Sequence, residues 1–502
     1  EPSMATVHRR LRQMSDGDLN RQLWVIRASL ATLSRSEGRT TRLGSRLVRP
    51  ETGAGAGGDG FLATARAIGD HLESVALRDE KEAAWVGLIA THGEGSLSLL
   101  PLGLDLYDGH PGVLLFLAYL GALTGEGRYT SLAESALASL RRMVDRGRSM
   151  FKTIGYASEW GGLIYTYVHI SALWERPDLL AEADEFVGQL PPLIDHDDHL
   201  DLIHGSAGCI GGLISLYRRS PSARAMEAAV RCGDHLLSRA RTMERGIAWD
   251  SRIPALNPLT GFAHGNAGIA WALGELADLT GAARFLTAER AAVAYERSLF
   301  SAEAKNWPDL RDRNALGLTG DTDQANSMCA WCHGAAGIGL ARILSLGRLD
   351  ESATRAEIEA ALETTLARGF GDNHSLCHGD LGNLETLLQA GERLADSRWR
   401  AEAGRMAAVT LESIRRNGWI CGVPSGVETP GLMTGLAGIG YGLLRLAEPK
   451  RTPSVLALEP PKRQDTRGRE RGLVGRVDRG GQPPRSTRPA NLPFGGSRRF
   501  SR

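Results

Sequence analysis

A short cassette recurs seven times along this chain and constrains its fold more than any other feature. Each copy is Gly-x-x-Gly followed by an apolar helical stretch, and the copies lie about 45 to 70 residues apart. In order they are Asp108-Gly109-His110-Pro111-Gly112, Ala157-Ser158-Glu159-Trp160-Gly161, His204-Gly205-Ser206-Ala207-Gly208 and His264-Gly265-Asn266-Ala267-Gly268. The last three are His333-Gly334-Ala335-Ala336-Gly337, His378-Gly379-Asp380-Leu381-Gly382 and Thr434-Gly435-Leu436-Ala437-Gly438. Only the second departs, with Ser158 at the first glycine position. The stretches that follow, such as Ile338 to Leu344, are apolar on nearly every face, which predicts buried inner helices. Between cassettes, stretches such as Ser131 to Arg142 carry apolar residues at three- and four-residue spacing, which predicts outer helices. The alternation predicts an all-α fold, an α/α toroid of seven inner and seven outer helices in a double-layered barrel. Glycines at each inner-helix start would let neighbouring backbones crowd together around the axis. The residue before each first glycine then stands at the same end of the ring, so distant positions converge on one mouth.

Outside the repeats the pattern changes. Ser15-Asp16-Gly17-Asp18 resembles a capping box, and Leu19, Leu23, Ile26 and Leu30 form an apolar stripe, predicting one helix ahead of a Gly-rich linker around Gly53 to Gly60. Gly53-Ala54-Gly55-Ala56-Gly57-Gly58 matches Gly-x-Gly-x-x-Gly formally, but no strand precedes it, which argues against a dinucleotide site. Beyond Glu459 an Arg-, Pro- and Gly-rich tail has few core-forming residues, so disorder is expected over 460–502. The division is therefore 1–60, 61–459 and 460–502. A net charge of +1 supplies no field to attract nucleic acid or a membrane. No signal segment and no apolar run of about 18 residues is evident, so a cytoplasmic protein is expected.

Six cysteines in 502 residues are too sparse for a disulfide scaffold, and their positions carry more meaning than their number. Cys332-His333-Gly334 and Cys377-His378-Gly379 place two cysteines at like positions in adjacent cassettes. Cys332, Cys377 and His378 would form a soft three-ligand set that leaves zinc an open fourth position, the arrangement of a catalytic site. The competing reading, buried cysteines packed beneath helix starts, does not account for the shared register. His264 precedes Gly265 and should face the same mouth, where an imidazole can move protons near neutral pH. Asp201 would reach that mouth from the preceding loop and orient His264. His204 and His333 share the register and are expected to line the mouth. Cys329 forms a Cys-x-x-Cys pair with Cys332 and is read as a bystander, while Cys209, Cys232 and Cys421 are read as core thiols. Asp195-His196-Asp197-Asp198-His199 looks like a ligand run, yet such runs are more often solvated loops.

With Gly261-Phe262-Ala263-His264-Gly265, Trp331-Cys332-His333-Gly334 and Cys377-His378-Gly379 in view, the chain resembles the LanC-like lanthionine cyclases from about Phe61 to Glu459. More narrowly it resembles the C-terminal cyclase portion of a class II, LanM-type lanthipeptide synthetase, because Met14-Ser15-Asp16-Gly17-Asp18-Leu19 through Leu30 is similar to the segment joining dehydratase to cyclase. The resemblance implies one catalytic Zn2+ on Cys332, Cys377 and His378, with His264 as acid/base and Asp201 as its partner. It also implies a dehydrated precursor peptide as substrate, a dehydratase domain or protein as partner, and addition of a cysteine thiol across a dehydroamino acid to close a thioether ring. Three other functions compete: a sugar-processing α/α barrel, which needs paired carboxylates in the mouth, a non-catalytic toroid that only holds precursor peptide, and a zinc prenyltransferase-like barrel, which needs a prenyl diphosphate pocket that the sequence does not identify.

Overall fold

The computed structural model describes residues 3–33, 57–90, 97–312 and 327–462. Helices α1 (Ser3–Gln13) and α2 (Asp16–Leu33) precede α3 (Gly58–Val75), and two antiparallel ribbons follow, β1 (Leu77–Arg78) with β2 (Ala83–Ala84) and β3 (Val86–Ala90) with β4 (Leu97–Pro101). The chain then alternates α4 (His110–Thr124), α5 (Gly127–Gly147), α6 (Trp160–Trp174), α7 (Pro177–Val187), α8 (Leu190–Asp195), α9 (Ser206–Arg219) and α10 (Ala223–Arg239). A third ribbon, β5 (Arg241–Thr242) with β6 (Ile247–Ala248), leads to α11 (Asn266–Thr280), α12 (Ala283–Ser298), α13 (Ala335–Leu344) and α14 (Ser352–Arg368). Then come α15 (Asp380–Arg393), α16 (Ser397–Asn417) and α17 (Leu436–Ala447).

Among the described residues the expected toroid is present. Helices α4, α6, α9, α11, α13, α15 and α17 each begin within a cassette and touch the next in turn, and α17 returns to α4. Each pairs with an outer helix; α3 covers α17 and so joins the first repeat to the last. The inner helices are buried on all sides, from His110 to Gly121 in α4, for example. The three short ribbons are the departure from a purely helical reading.

The second cassette glycine has a sharper reason than the expected crowding of neighbouring helices. A Cβ at Gly337 would lie 1.9 Å from the Trp331 carbonyl oxygen, and one at Gly438 would lie 1.6 Å from that of Leu432. The loop entering each inner helix folds back onto its own second glycine, leaving no room for a side chain. Ser158 is tolerated at a first position, where its hydroxyl donates to the Gly155 carbonyl at 3.1 Å.

Those loops are stitched into a closed ring. Main-chain N–H groups donate from Tyr107 to Ala157, Tyr156 to Leu202, Leu202 to Ala263, Ala263 to Cys332, Cys332 to Cys377, Cys377 to Met433 and Met433 back to Tyr107. Buried backbone polar groups must find partners, and here each finds one in the next repeat, fixing the relative height of residues far apart in sequence. The centre is filled by 452–458, buried throughout, whose carbonyls accept from the Tyr156 hydroxyl, the Trp331 indole and the Tyr441 hydroxyl.

The helix expected on the N-terminal flank is present as α2. The stripe Leu19, Leu23, Ile26 and Leu30 is exposed; α2 instead packs through Trp24, Ala28 and Ala31 against Leu88 and Leu99 of the β3–β4 ribbon. Small Ala28 and Ala31 allow that close approach, and the Trp24 indole N–H donates to the Glu428 carbonyl at 2.8 Å. Gly58 to Gly60, assigned to the linker, open α3, while 53–56 lie outside the described residues. Of the tail, Pro460 to Lys462 are ordered against the toroid, with Lys462 Nζ donating to the Pro449 carbonyl at 2.7 Å; 463–502 lie outside the described residues. No described helix is long and apolar enough to cross a membrane.

Candidate functional site

Counting back from the first glycine of each cassette, Cys332 and Cys377 both stand two residues before it, and His204, His264, His333 and His378 all stand one before it. The backbone ring holds these positions side by side. Among the described residues, two groups could hold a metal ion: Cys332, Cys377 and His378, and Asp201, His204 and His264. In each, the ligand atoms lie within 4.8 Å of one another.

The donor chemistry of the first group suits a thiophilic cation. Cys332 and Cys377 are 6% and 4% exposed, buried enough to shed most water. The Tyr107 hydroxyl donates to Cys377 Sγ at 2.9 Å. His378 Nε2–H donates to the Gly422 carbonyl at 3.0 Å, which leaves Nδ1 as its free lone pair and is the kind of outer contact that fixes a ligating imidazole. Gly422 itself is pinned by an N–H donated to the Thr434 carbonyl at 2.7 Å. A Cβ there would lie 2.6 Å from Ser375 Oγ and 2.9 Å from His378 Nε2, so the site needs glycine at this position. The two thiols compete for one charge. A hydrogen bond from Cys377 pulls Cys332 below the ordinary thiol range, whereas the same contact and burial push Cys377 well above it. Two adjacent thiolates repel unless a cation lies between them, and this set would supply one with two thiolates and an imidazole.

Beside it, His264 Nδ1–H donates to Asp201 Oδ2 at 2.7 Å. Asp201 Oδ1 accepts the His204 main-chain N–H at 2.7 Å. Burial alone would raise the Asp201 carboxyl, but the charge and hydrogen bond of His264 outweigh it and hold the group below its usual range. An aspartate fixed by two donors sets the imidazole's tautomer and leaves Nε2 to exchange a proton. The His264 and His333 rings stack at 6.0 Å, but His333 is buried and pushed down to about 3 by burial and by Arg311. It is a neutral wall of the site.

The remaining sequence candidates settle elsewhere. Cys329 Sγ faces the Thr364 carbonyl and Thr365 hydroxyl at 3.9 Å. Cys209, Cys232 and Cys421 are buried. The acidic run is structural rather than merely solvated: Asp197 accepts the Ser206 N–H and hydroxyl, each at 2.7 Å, at the start of α9. Asp195 and Asp198 pair with Arg231 and Arg252 at the surface.

Three contributors escaped the sequence reading. Tyr107 occupies the same register position as Cys332 and Cys377, so the repeat alone points to it. Gly422 lies between cassettes, where no register applies. Arg311, also between cassettes, holds Asp309 through its main-chain N–H and its guanidinium, the shortest bond being 2.6 Å, and its charge acts on Cys332 and Cys377.

The model for lanthionine synthetase C-like proteins matches residues 101–457, and the chain belongs to that family. The lacticin 481/lactococcin biosynthesis protein LcnDR2 of Lactococcus lactis subsp. lactis is 28% identical over 219 residues, which is 41% of this chain and 22% of that protein. The chain thus spans about a fifth of the length of this curated relative. Among solved structures, nisin cyclase superposes with a TM-score of 0.53 at 18% identity, covering 79% of this chain and 96% of that one; a likeness at that identity establishes the toroid.

Proposed function

We propose that this chain is a zinc-dependent lanthionine cyclase, acting on a dehydrated lanthipeptide precursor. The observation that carries this reading is the convergence at one mouth of Cys332, Cys377 and His378 with the hydrogen-bonded pair His264–Asp201. Zinc held by the first three would supply the charge that keeps a substrate cysteine ionised at neutral pH. Tyr107 and Gly422 hold Cys377 and His378 in place, and Arg311 adds positive charge beside the thiolates. The new S–C bond forms at the β-carbon of dehydroalanine or dehydrobutyrine, and the electron pair moves to the adjoining α-carbon. His264, oriented by Asp201, delivers the proton that completes that carbon. Substrate and product are isomers, so no oxidant or leaving group is needed.

The partners under this reading are the precursor peptide and a dehydratase domain or protein that makes its dehydroamino acids, in the cytoplasm where thiols stay reduced. The metal group is two thiolates and an imidazole rather than a carboxylate pair, which disfavours the sugar-processing alternative. The test uses a peptide with one cysteine and one dehydroalanine. Ring closure removes the free thiol without changing the mass, so alkylation after incubation counts open peptide. Enzyme-dependent loss of the alkylated form supports the cyclase; a peptide that binds yet keeps its thiol indicates a binding toroid.

A further inference from the structure

We propose that Asp201, His204 and His264 form a second site for a first-row divalent transition-metal ion, and that its occupation takes the His264–Asp201 pair out of proton transfer. The proposal rests on the cyclase reading for its effect on catalysis, but not for the site itself.

The argument starts from register. The backbone ring that brings Cys332 beside Cys377, two residues before the glycine in adjacent repeats, also brings His204 beside His264, one residue before it in the two preceding repeats. Their rings face each other at 22° with centroids 6.0 Å apart. Asp201 closes the third side; its side chain is 5% exposed, so its charge is poorly screened, and its two oxygens are already aimed by His204 N–H and His264 Nδ1–H. The three ligand atoms lie within 4.8 Å of one another. Ligands around a tetrahedral ion at about 2.0–2.1 Å stand about 3.4 Å apart, so the cage must rearrange modestly to grip one. His333 also stacks on His264, but it lies in the field of Arg311, whose cation repels another, so it is not counted as a fourth ligand.

Two imidazoles and a carboxylate make a borderline donor set that accepts zinc, cobalt or nickel, whereas the thiolate group next to it is softer and binds first. A ring nitrogen that holds an ion cannot carry a proton, and rearrangement of the cage reorders the Asp201 hydrogen bond. Zinc beyond one equivalent therefore slows ring closure as the second site fills.

The test is titration of Co2+ into the metal-free full-length chain, followed by absorbance. Wild type takes two equivalents: the first develops a thiolate-to-cobalt charge-transfer band, and the second adds only weak visible absorption. His204→Phe and Asp201→Asn each keep the first band and weaken the second equivalent by at least about 100-fold, since a metal ligand is worth more than the 10- to 100-fold of its outer contacts. The thiolate band in the same sample reports that the mouth is folded. A wild type that saturates at one equivalent overturns the proposal, as does a second equivalent that survives in both variants. So does a ring-closure rate that stays flat while the second site fills. Loss of the thiolate band from wild type strikes the cyclase reading instead, and leaves the stoichiometry of the nitrogen–oxygen site to be read on its own.

Discussion

Replacing Asp201 with asparagine separates orientation of His264 from metal binding at the Cys332–Cys377–His378 group. Asp201 accepts two hydrogen bonds, from His204 N–H and from His264 Nδ1–H, both at 2.7 Å. Asparagine has one acceptor oxygen and one donor amide, but both groups it must face are donors. Whichever way it turns, one bond is lost, or His264 must shift its proton to Nε2 and lose the carboxylate that stabilises its protonated, proton-delivering form. A hydrogen bond to a charged group contributes about 1.5–3 kcal/mol, so if it is realised in the transition state the rate of ring closure falls by about 10- to 150-fold. The one zinc retained by Cys332, Cys377 and His378 after dialysis stays at the wild-type value, because none of the three touches Asp201 in the hydrogen-bond network. The assay is thiol loss from a dehydrated peptide, with metal content measured on the same sample. His264→Gln should be slower still, and Asp201→Asn should add nothing in that background, because residues acting as a unit are non-additive. Multiplying losses, or a wild-type rate in Asp201→Asn, would refute the pairing.

Other parts of the structure make their own predictions. Gly422→Ala pushes a methyl group against His378 Nε2 and Ser375 Oγ, and should weaken zinc binding about 10- to 100-fold in a competition against a chelator; unchanged affinity would mean Gly422 does not position His378. Arg342 bridges Glu296 at 2.9 Å and Glu357 at 2.8 Å in the core, and Arg342→Met should cost about 3–5 kcal/mol in denaturant unfolding by leaving the buried Glu296 carboxylate without a cation, while Glu357 keeps Arg297. Glu296 also accepts the Gly261 N–H at 2.9 Å, so that variant should close rings more slowly as well. Burial alone would raise the Glu459 carboxyl, but Arg445 and the Ser454 N–H hold it below its usual range. A depressed native value contributes stability above the ordinary pKa and loses it as pH falls through the native one. Glu459→Gln should therefore be about 1–3 kcal/mol less stable at pH 7, with the gap closing below about pH 4; a gap independent of pH would contradict the assignment.

Much of this architecture is legible without coordinates because it repeats. The glycine cassette marks every inner helix, and its register brings Cys332 and Cys377 onto one level and His204 and His264 onto the next. Tyr107 was equally readable from that register. Arg311 and Gly422 were not, since they belong to inter-cassette loops whose placement depends on tertiary contacts alone. In α2, periodicity identified a helix but not which face is buried; Ala28 and Ala31 pack because they are small, which hydrophobicity does not reveal. The central segment 452–458 has no helical pattern at all. It is held largely through its carbonyls, and the partners that bind them, Tyr156, Trp331 and Tyr441, lie in three different repeats. Asp197 shows the limit of reading charge as exposure, since a buried carboxylate becomes favourable once it receives the N–H and hydroxyl of Ser206.

The most direct test of the central claim is zinc per chain after dialysis against metal-free buffer, in wild type, Cys332→Ala and Cys377→Ala, alongside ring closure on a dehydrated peptide. The account predicts one retained zinc in wild type, and loss of both metal and ring closure in each variant. A wild type that closes rings without metal, or a variant that keeps its zinc in full, would contradict it.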